Sequence, residues 1–339
     1  MIYDKNLADK YIDELVKEIN SHNIDKLKTI YIGGGTPSSL SISQLEKLLQ
    51  NIVPYINDDY EFTIECNFEN INKEKLLLFK KYYVNRLSFG VQSLNNDILK
   101  QLNRHHSREE VFSIINLAKE IGFNNINIDL IYGLPNVDEE MLKKDLEDFI
   151  KLDISHISTY SLTISPNTLL YINNVKEIND GESRRLYDVI YSFLNENGFN
   201  RYEVSNFAKP GFESKHNTVY WDNKNYIGVG VGASGYLGNI RYQNTKSINR
   251  YLKGEYLSEQ EEVTYSDNVN YFLMLKLRKK EGFKIDDLKD ITNENDFKFI
   301  IEKLEQFIKQ NMIQKSTNSY FCTDEGIMLL DIILREIFL

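Results

Sequence analysis

From residue 6 to about residue 205, short strand-like segments alternate with amphipathic helical ones, and this alternation limits the fold more than any other feature. "LADKYIDELVKEI" spaces Leu7, Tyr11, Leu15 and Ile19 four apart, the one-face stripe of a helix. "LKTIYI" (27–32) reads as a strand. "SISQLEKLLQNI" follows it, with Ser41 as N-cap and Gln44 three residues on, a capping box. Further strands are expected at 61–66, 84–93, 125–133, 156–164 and 201–208, separated by helices over 72–83, 108–122, 138–152 and 181–198. Gly122 stands where a helix stops. Strands alternating with helices of this length mean βα units and a parallel sheet, an α/β fold. About six strands suit a doubly wound sheet or a barrel, and the pattern does not choose between them.

In either fold, ligands gather at the C-terminal ends of the strands. That rule picks out Gly33, Gly34, Gly35 and Thr36, then Glu65, Gln92, Asp129 and Tyr160. The glycines of "IYIGGGTPSSL" weaken a strand end and cost backbone entropy. They imply either the close approach of a ligand or a tight βα turn. No Lys-Ser or Lys-Thr follows them, so the phosphate-binding P-loop pattern is absent, and so is the alternating-glycine spacing of dinucleotide sites. Asp129 interrupts the apolar run "INIDLIY" and needs a partner or a ligand, because an unpaired buried charge is expensive. Glu65 ends an apolar strand, Gln92 sits in "SFGVQS", and Arg104 in "LNRHHS" is suited to pair with an acidic group. Each alone reads equally well as a solvated strand end or a side chain serving nearby backbone. Jointly they describe one polar pocket.

The remainder is less regular. Residues 209–264 are rich in Gly and Asn and include "HNTVYW". From 265 onwards the pattern is helix, short helix, helix, strand–turn–strand and a last helix, which suggests a winged-helix-like α+β domain. The expected domains are therefore 1–208, a connecting region 209–264, and 265–339. From residue 266 the tail carries eleven basic against thirteen acidic side chains, and the whole chain has a net charge of −10. Fields of that sign repel phosphate backbones, which argues against a nucleic-acid partner. No run approaches the roughly 18 apolar residues of a membrane span, and the N-terminus is too charged for a signal peptide, so the expected location is the cytoplasm. The two cysteines, Cys66 and Cys322, make no disulfide framework. They also fall short of the thiolates that hold an iron–sulfur cluster.

Five stretches in order carry a family resemblance: "IYIGGGTPSSL", "RLSFGVQSLNNDILKQLNRHHS", "NINIDLIYGLP", "YEVSNFAKPG" and "HNTVYW". The chain resembles the radical S-adenosylmethionine (SAM) proteins of the oxygen-independent coproporphyrinogen III oxidase family, closest to its heme chaperone branch, from about residue 7 to 240. The resemblance implies a partial (β/α) barrel binding SAM and a 4Fe–4S cluster at its C-terminal face. It implies that Gly34, Gly35 and Thr36 contact the methionine part of SAM, and that Glu65, Gln92, Arg104 and Asp129 hold its ribose and amino-acid ends. It favours heme as a second ligand, with His216 and Tyr220 of "HNTVYW" as candidates and His106 as second choice. A lone imidazole beside Tyr220 and Trp221 is a reasonable iron ligand, although a hydrogen-bonded histidine in a Gly-rich loop reads the same.

The sequence departs from the family in two places. Phe68 stands where proline is expected. The CxxxCxxC motif, which the family carries after its first barrel strand, is absent from the chain as given, and with it that strand. A truncated reading of a longer protein is the favoured explanation, and a clusterless descendant is the other. The chain as given is not expected to do radical chemistry, and its 27–32 strand is left with an edge that invites association, a homodimer included. The expected function is a heme chaperone that binds heme and delivers it to acceptor proteins. The alternatives are oxygen-independent coproporphyrinogen III oxidation and a clusterless pseudoenzyme.

Overall fold

The computed structural model describes residues 4–166 and 168–339. Helix α1 (Lys5–Ser21) leads into strand β1 (Leu27–Ile32), helix α2 (Ile42–Ile52), strand β2 (Ile56–Cys66) and helix α3 (Lys73–Lys81). Strand β3 (Arg86–Gln92), helices α4 (Asn96–Gln101) and α5 (Arg108–Ile121), strand β4 (Asn125–Tyr132), helix α6 (Glu139–Lys151) and strand β5 (His156–Ser161) continue the alternation. Helices α7 (Leu169–Ile172) and α8 (Asp180–Glu196) precede two short strands, β6 (Asn200–Arg201) and β7 (Asn206–Ala208). The sheet order is β1-β2-β3-β4-β5-β7-β6. Neighbours from β1 to β5 are parallel, as the alternation requires. β1 is an outer strand of the sheet, where the family resemblance placed an unpaired edge.

The local signals account for these elements. Ser41 Oγ accepts the N–H of Gln44 and the Gln44 carboxamide accepts the N–H of Ser41, closing the expected capping box of α2. Gly122, at φ +99°, ends α5 in the left-handed region. The segment 201–208 differs from its single-strand expectation. It breaks into β6 and β7, and β7 runs antiparallel to β5. Between them Glu203 bridges to Lys279 and Val204 packs on the C-terminal core, so the chain leaves the sheet for three residues.

Contacts divide the described chain into two units. The first comprises Ile24–Arg201 and Ser205–Glu213 with the described residues up to Ala8. The second comprises Asp9–Asn23, Tyr202–Val204 and Ser214–Leu339. Most of α1 thus groups with the second unit, whereas the sequence reading put it in the first. The cause lies in two acids on the helix. Glu18, 2% exposed, accepts from the N–H of Gly230 at 2.7 Å, from Asn244 Nδ2 at 2.6 Å and from the Tyr251 hydroxyl. Glu14 accepts from the Tyr256 hydroxyl at 2.7 Å.

In the first unit the sheet has two unlike faces. Phe62, Ile64, Leu87, Phe89, Val91, Ile126 and Ile128 are almost fully buried and form the apolar face. The alternate positions are polar: Thr63 and Glu65 on β2, Arg86 and Ser88 on β3, Asn127 and Asp129 on β4. A sheet with helices over one face and a polar opposite face is a partial barrel with a polar interior.

In the second unit, helix α9 (Lys215–Trp221) is followed by strands β8 (Ser234–Leu237) and β9 (Ile240–Asn244), helix α10 (Ile248–Tyr251) and strand β10 (Leu257–Glu262). These strands make an antiparallel sheet of order β10-β9-β8. The region read from sequence as irregular is therefore ordered. Its glycines misled the reading: Gly235 lies inside β8, where the Tyr242 ring occupies the space a Cβ would need. Helix α11 (Tyr265–Lys276), strand β11 (Phe283–Lys284), helices α12 (Ile285–Ile291) and α13 (Glu294–Lys309), strands β12 (Ile313–Lys315) and β13 (Ser319–Cys322), and helices α14 (Asp324–Met328) and α15 (Leu330–Ile337) complete the chain. The sheet order β11-β13-β12 beneath these helices is the winged-helix arrangement. Its core includes Leu273, Phe283, Leu288, Ile300, Leu304, Tyr320 and Ile333.

Candidate functional site

The strand ends of the first unit converge on one cleft of about 200 Å³, lined by Gly35, Thr36, Glu65, Cys66, Asn67, Ser88, Gly90, Gln92, Arg104 and Asp129. Six of the seven residues expected to hold SAM are in that lining. The seventh, Gly34, donates its N–H to Glu65 Oε2 at 3.1 Å. Tyr160, which also ends a strand, is 45% exposed and is not part of the lining.

Each glycine of the triplet has its own reason. Gly33 makes room for two side chains: a Cβ there would lie 2.5 Å from Tyr31 Cε1 and 2.6 Å from Glu65 Oε1, so both would have to move. Those two side chains are bonded to one another, Tyr31 donating its hydroxyl to Glu65 Oε1 at 2.7 Å. Gly34 and Gly35 adopt φ of +84° and +131°, which L side chains rarely take, and a Cβ on either would meet open space. The close neighbour at Gly33 is thus Glu65 and its tyrosine, a pair sequence reading did not find. Burial, reinforced by the Glu65 charge, pushes the Tyr31 hydroxyl well above its usual pKa, so it is a fixed donor.

Asp129 rests on a polar network inside the barrel. Asn127 Nδ2 donates to Asp129 Oδ1 at 2.9 Å and to Ser88 Oγ at 2.8 Å. Asn127 Oδ1 meets the His156 Nδ1 at 2.6 Å and accepts from Ser158 Oγ at 3.1 Å. Since that oxygen can only accept, Nδ1 of His156 carries the proton. Burial holds the His156 pKa well below its usual value, so the imidazole is neutral. Burial pushes Asp129 up to about 6, against hydrogen bonds from Asn127 and Ser158 that lower it. Arg86, 2% exposed, is the buried cation whose charge acts on Asp129, Tyr31 and His156. The period-two row Asn125, Asn127, Asp129 in "NINID" was the available sequence signal for this network.

Gln92 is 8% exposed, takes φ +65°, and leaves its buried Oε1 without a hydrogen bond. Arg104 follows α4 in a turn where Asn103 takes φ +55°, its own N–H bonded to the Leu99 carbonyl at 2.8 Å. The cleft therefore offers two carboxylates, one guanidinium and one unsatisfied buried acceptor. That set suits a ligand carrying an ammonium, a carboxylate and hydroxyls, so the residues present fit SAM.

They do not fit a 4Fe–4S cluster. Cys66 is buried at the end of β2, its Sγ 3.7 Å from the Ile64 carbonyl, and burial pushes its thiol far above the usual range. Cys322 belongs to the other unit. Two such thiols do not make the three- or four-thiolate set a cluster takes. Among the described residues, no group of three or more His, Cys, Asp or Glu side chains is placed to hold a metal ion.

The heme candidates fall in different units. His106 lies in the first, 5% exposed, its ring 4.9 Å from that of Phe68, which also stacks on Phe89. The phenylalanine found where proline was expected is thus part of an apolar stack that covers this histidine. Burial lowers the His106 pKa, and nearby Arg104 adds to that. His216 and Tyr220 lie in the second unit on α9, a helix rather than the loop expected, capped by Ser214 through the N–H of Asn217. Spacing of four on a helix stacks them: His216 Nε2 is 2.8 Å from the Tyr220 hydroxyl, and Tyr220 meets Tyr226 edge-on at 4.7 Å. Burial pushes Tyr220 up to about 12, which keeps it a neutral phenol. At the end of α9, Asp222 binds Lys276 and Lys279, each at 2.8 Å, and Lys224 at 3.0 Å.

The radical SAM superfamily profile matches residues 2–149. The heme chaperone HemW of Lactococcus lactis is 39% identical over 95% of this chain and 87% of its own length. HemW of Bacillus subtilis is 34% identical over 95% of this chain and 89% of its own length, and that of Escherichia coli 32% over 98% and 90%. Among solved structures, the coproporphyrinogen III oxidase HemN of Escherichia coli, a radical SAM enzyme, superposes with a TM-score of 0.86 over 99% of this chain and 84% of its own, at 23% identity. That likeness establishes the fold.

Proposed function

The chain belongs to the HemW family, and from that membership we propose that it binds heme and delivers it to heme-requiring acceptor proteins. The observation that carries the reading is identity of 39% to a heme chaperone across nearly the whole chain. The geometry of α9 supports His216 as the iron ligand. A neutral imidazole is an ordinary axial ligand, whereas a phenol pushed up to about 12 is a poor source of the phenolate that iron prefers. Ligation through Nε2 requires the Tyr220 hydroxyl to turn away from it. Tyr220 therefore orients His216 in the heme-free protein and yields when heme arrives.

The cleft of the first unit is assigned to SAM, which brings an α-amino acid, a sulfonium and an adenosine when bound. Arg104, which lines the cleft, would pair with its carboxylate. Glu65, oriented by Tyr31 and Gly34, and Asp129, oriented by Asn127, serve its ammonium and hydroxyl groups. Gln92 Oε1 is the acceptor left for a ligand donor. Gly34, Gly35 and Thr36 would offer their backbone to its methionine end. The likeness to the oxidase supports the fold alone, so that activity stays the lesser alternative.

Delivery is tested by mixing the heme-loaded chain with a heme-free acceptor hemoprotein and following the acceptor's absorbance. The expected result is a transfer rate that rises with acceptor concentration, the mark of a direct encounter. A rate independent of acceptor, equal to spontaneous heme loss, would contradict the chaperone reading.

A further inference from the structure

The inference rests on reading the strand-end cleft as a SAM site and concerns a residue outside it. Strand β3 does not end straight. Its register against β4 slips between Gly90 and Gln92, and the N–H of Ser93 donates to the Val91 carbonyl at 2.9 Å. With φ +65° at its centre, Gln92 sits in a three-residue γ-turn of the rare, strained hand. The turn folds the Gln92 carboxamide back over Gly90, where a Cβ would lie 3.0 Å from Nε2. The result is a buried Oε1 with no hydrogen bond, on a side chain that lines the cleft. A strained turn ending in an unsatisfied acceptor is a group held ready for a ligand.

The turn is held from behind. Ser93, 1% exposed, donates its hydroxyl to Asp145 Oδ2 at 2.5 Å, and the N–H of Leu94 donates to the same carboxylate. The Ser93 hydroxyl also accepts from the N–H of Asn95, the residue that caps α4. Asp145 lies on α6, 6% exposed, and is not in the cleft lining. Its charged neighbours are Asp148 and Lys144 of the same helix, and Asp148 is paired with Arg108 of α5 at 2.7 Å.

We propose that Asp145 is a positioning residue for the adenosyl ligand: it clamps the Ser93–Leu94 backbone and so fixes the strained Gln92 turn that presents Oε1 to the cleft. Its energetics set this role apart from plain packing. Burial pushes Asp145 up to about 6, above its value in an unfolded chain. The ionised carboxylate at neutral pH is therefore a burden on the fold, one that eases as pH falls through that value. Asp145→Asn keeps an acceptor for Ser93, removes the buried charge and loses the second charged acceptor.

The test is a calorimetric titration of SAM into the full chain at neutral pH, with a thermal melt of each variant. Wild type, Asp145→Asn, Gln92→Gly and the double variant are compared, with Ser93→Ala as a second way to open the clamp. Asp145→Asn and Ser93→Ala are each expected to weaken SAM about tenfold, with the melting temperature of Asp145→Asn unchanged or raised. Gln92→Gly relaxes the turn and deletes the carboxamide, so adding Asp145→Asn to it should change nothing further. Wild-type affinity in both clamp variants, or full additivity in the double variant, overturns the proposal. Absence of SAM binding by wild type itself refutes the cleft reading, and the inference falls with it.

Discussion

Asp129 carries the pH signature of the cleft. Its carboxyl is pushed up to about 6 by burial, so it is charged at neutral pH and neutral a little below that value. If the charged form serves the ammonium or hydroxyl groups of SAM, affinity near neutral pH falls as pH drops through about 6. Asp129→Asn should flatten that step, lowering affinity at neutral pH to the level wild type reaches in acid; calorimetry across pH checks it, and an unchanged step would assign the titration to another group. On α9, Tyr220→Phe removes the hydroxyl that occupies His216 Nε2 and should leave heme affinity equal or stronger. A loss there as large as that of His216→Ala would make Tyr220 a ligand. At this scale, the residues legible in the sequence were those that broke a pattern: Asp129 in an apolar strand, the glycine triplet, Gln92. Tyr31 was not, because it sits in an ordinary strand position and its role exists only through Glu65 of another strand; Asn127 left a trace in the polar row 125, 127, 129, but not the partners that give it a role.

Helix α9 has seven residues, too short to be stable by propensity, and its fixed end is Asp222. Burial alone would raise the Asp222 pKa; the ammoniums of Lys276, Lys279 and Lys224 overcome that and hold it well below the ordinary carboxylate range. Its contribution is complete above that range and is lost as pH falls through it. Asp222→Ala strands the largely buried Lys276 and leaves Lys279 only its exposed partner Glu281; it should cost up to about 3 kcal/mol, read as a lower melting temperature with weaker heme binding. An unchanged melt would show that α9 is anchored elsewhere. The parallel strands and the longer helices were legible from their apolar periods, helped by the cap at Ser41 and Gln44 and the stop at Gly122, whereas the short α4 was not expected. The β8–β9 hairpin was not, since Gly235 reads as a breaker until the Tyr242 ring is seen against it.

On the scale of the molecule, the SAM candidates lie in one unit and His216 and Tyr220 in the other. The boundary was only partly legible: the apolar stripe of α1 speaks for a helix, but its allegiance is decided by Glu14 and Glu18, whose partners lie more than 200 residues away. Among the described residues, no helix is long and apolar enough to cross a membrane. The division predicts separable ligand footprints in hydrogen exchange. SAM should slow exchange at Gly34–Thr36 and around Gln92, and heme should slow it along α9; heme protection confined to His106 would move the heme site to the first unit. Heme ligation by His216 is read in an absorbance titration of heme into the full chain and into His216→Ala. Saturable one-site binding is expected of the full chain, and at least about tenfold weaker binding of the variant. Identical titrations for the two proteins would contradict that ligation.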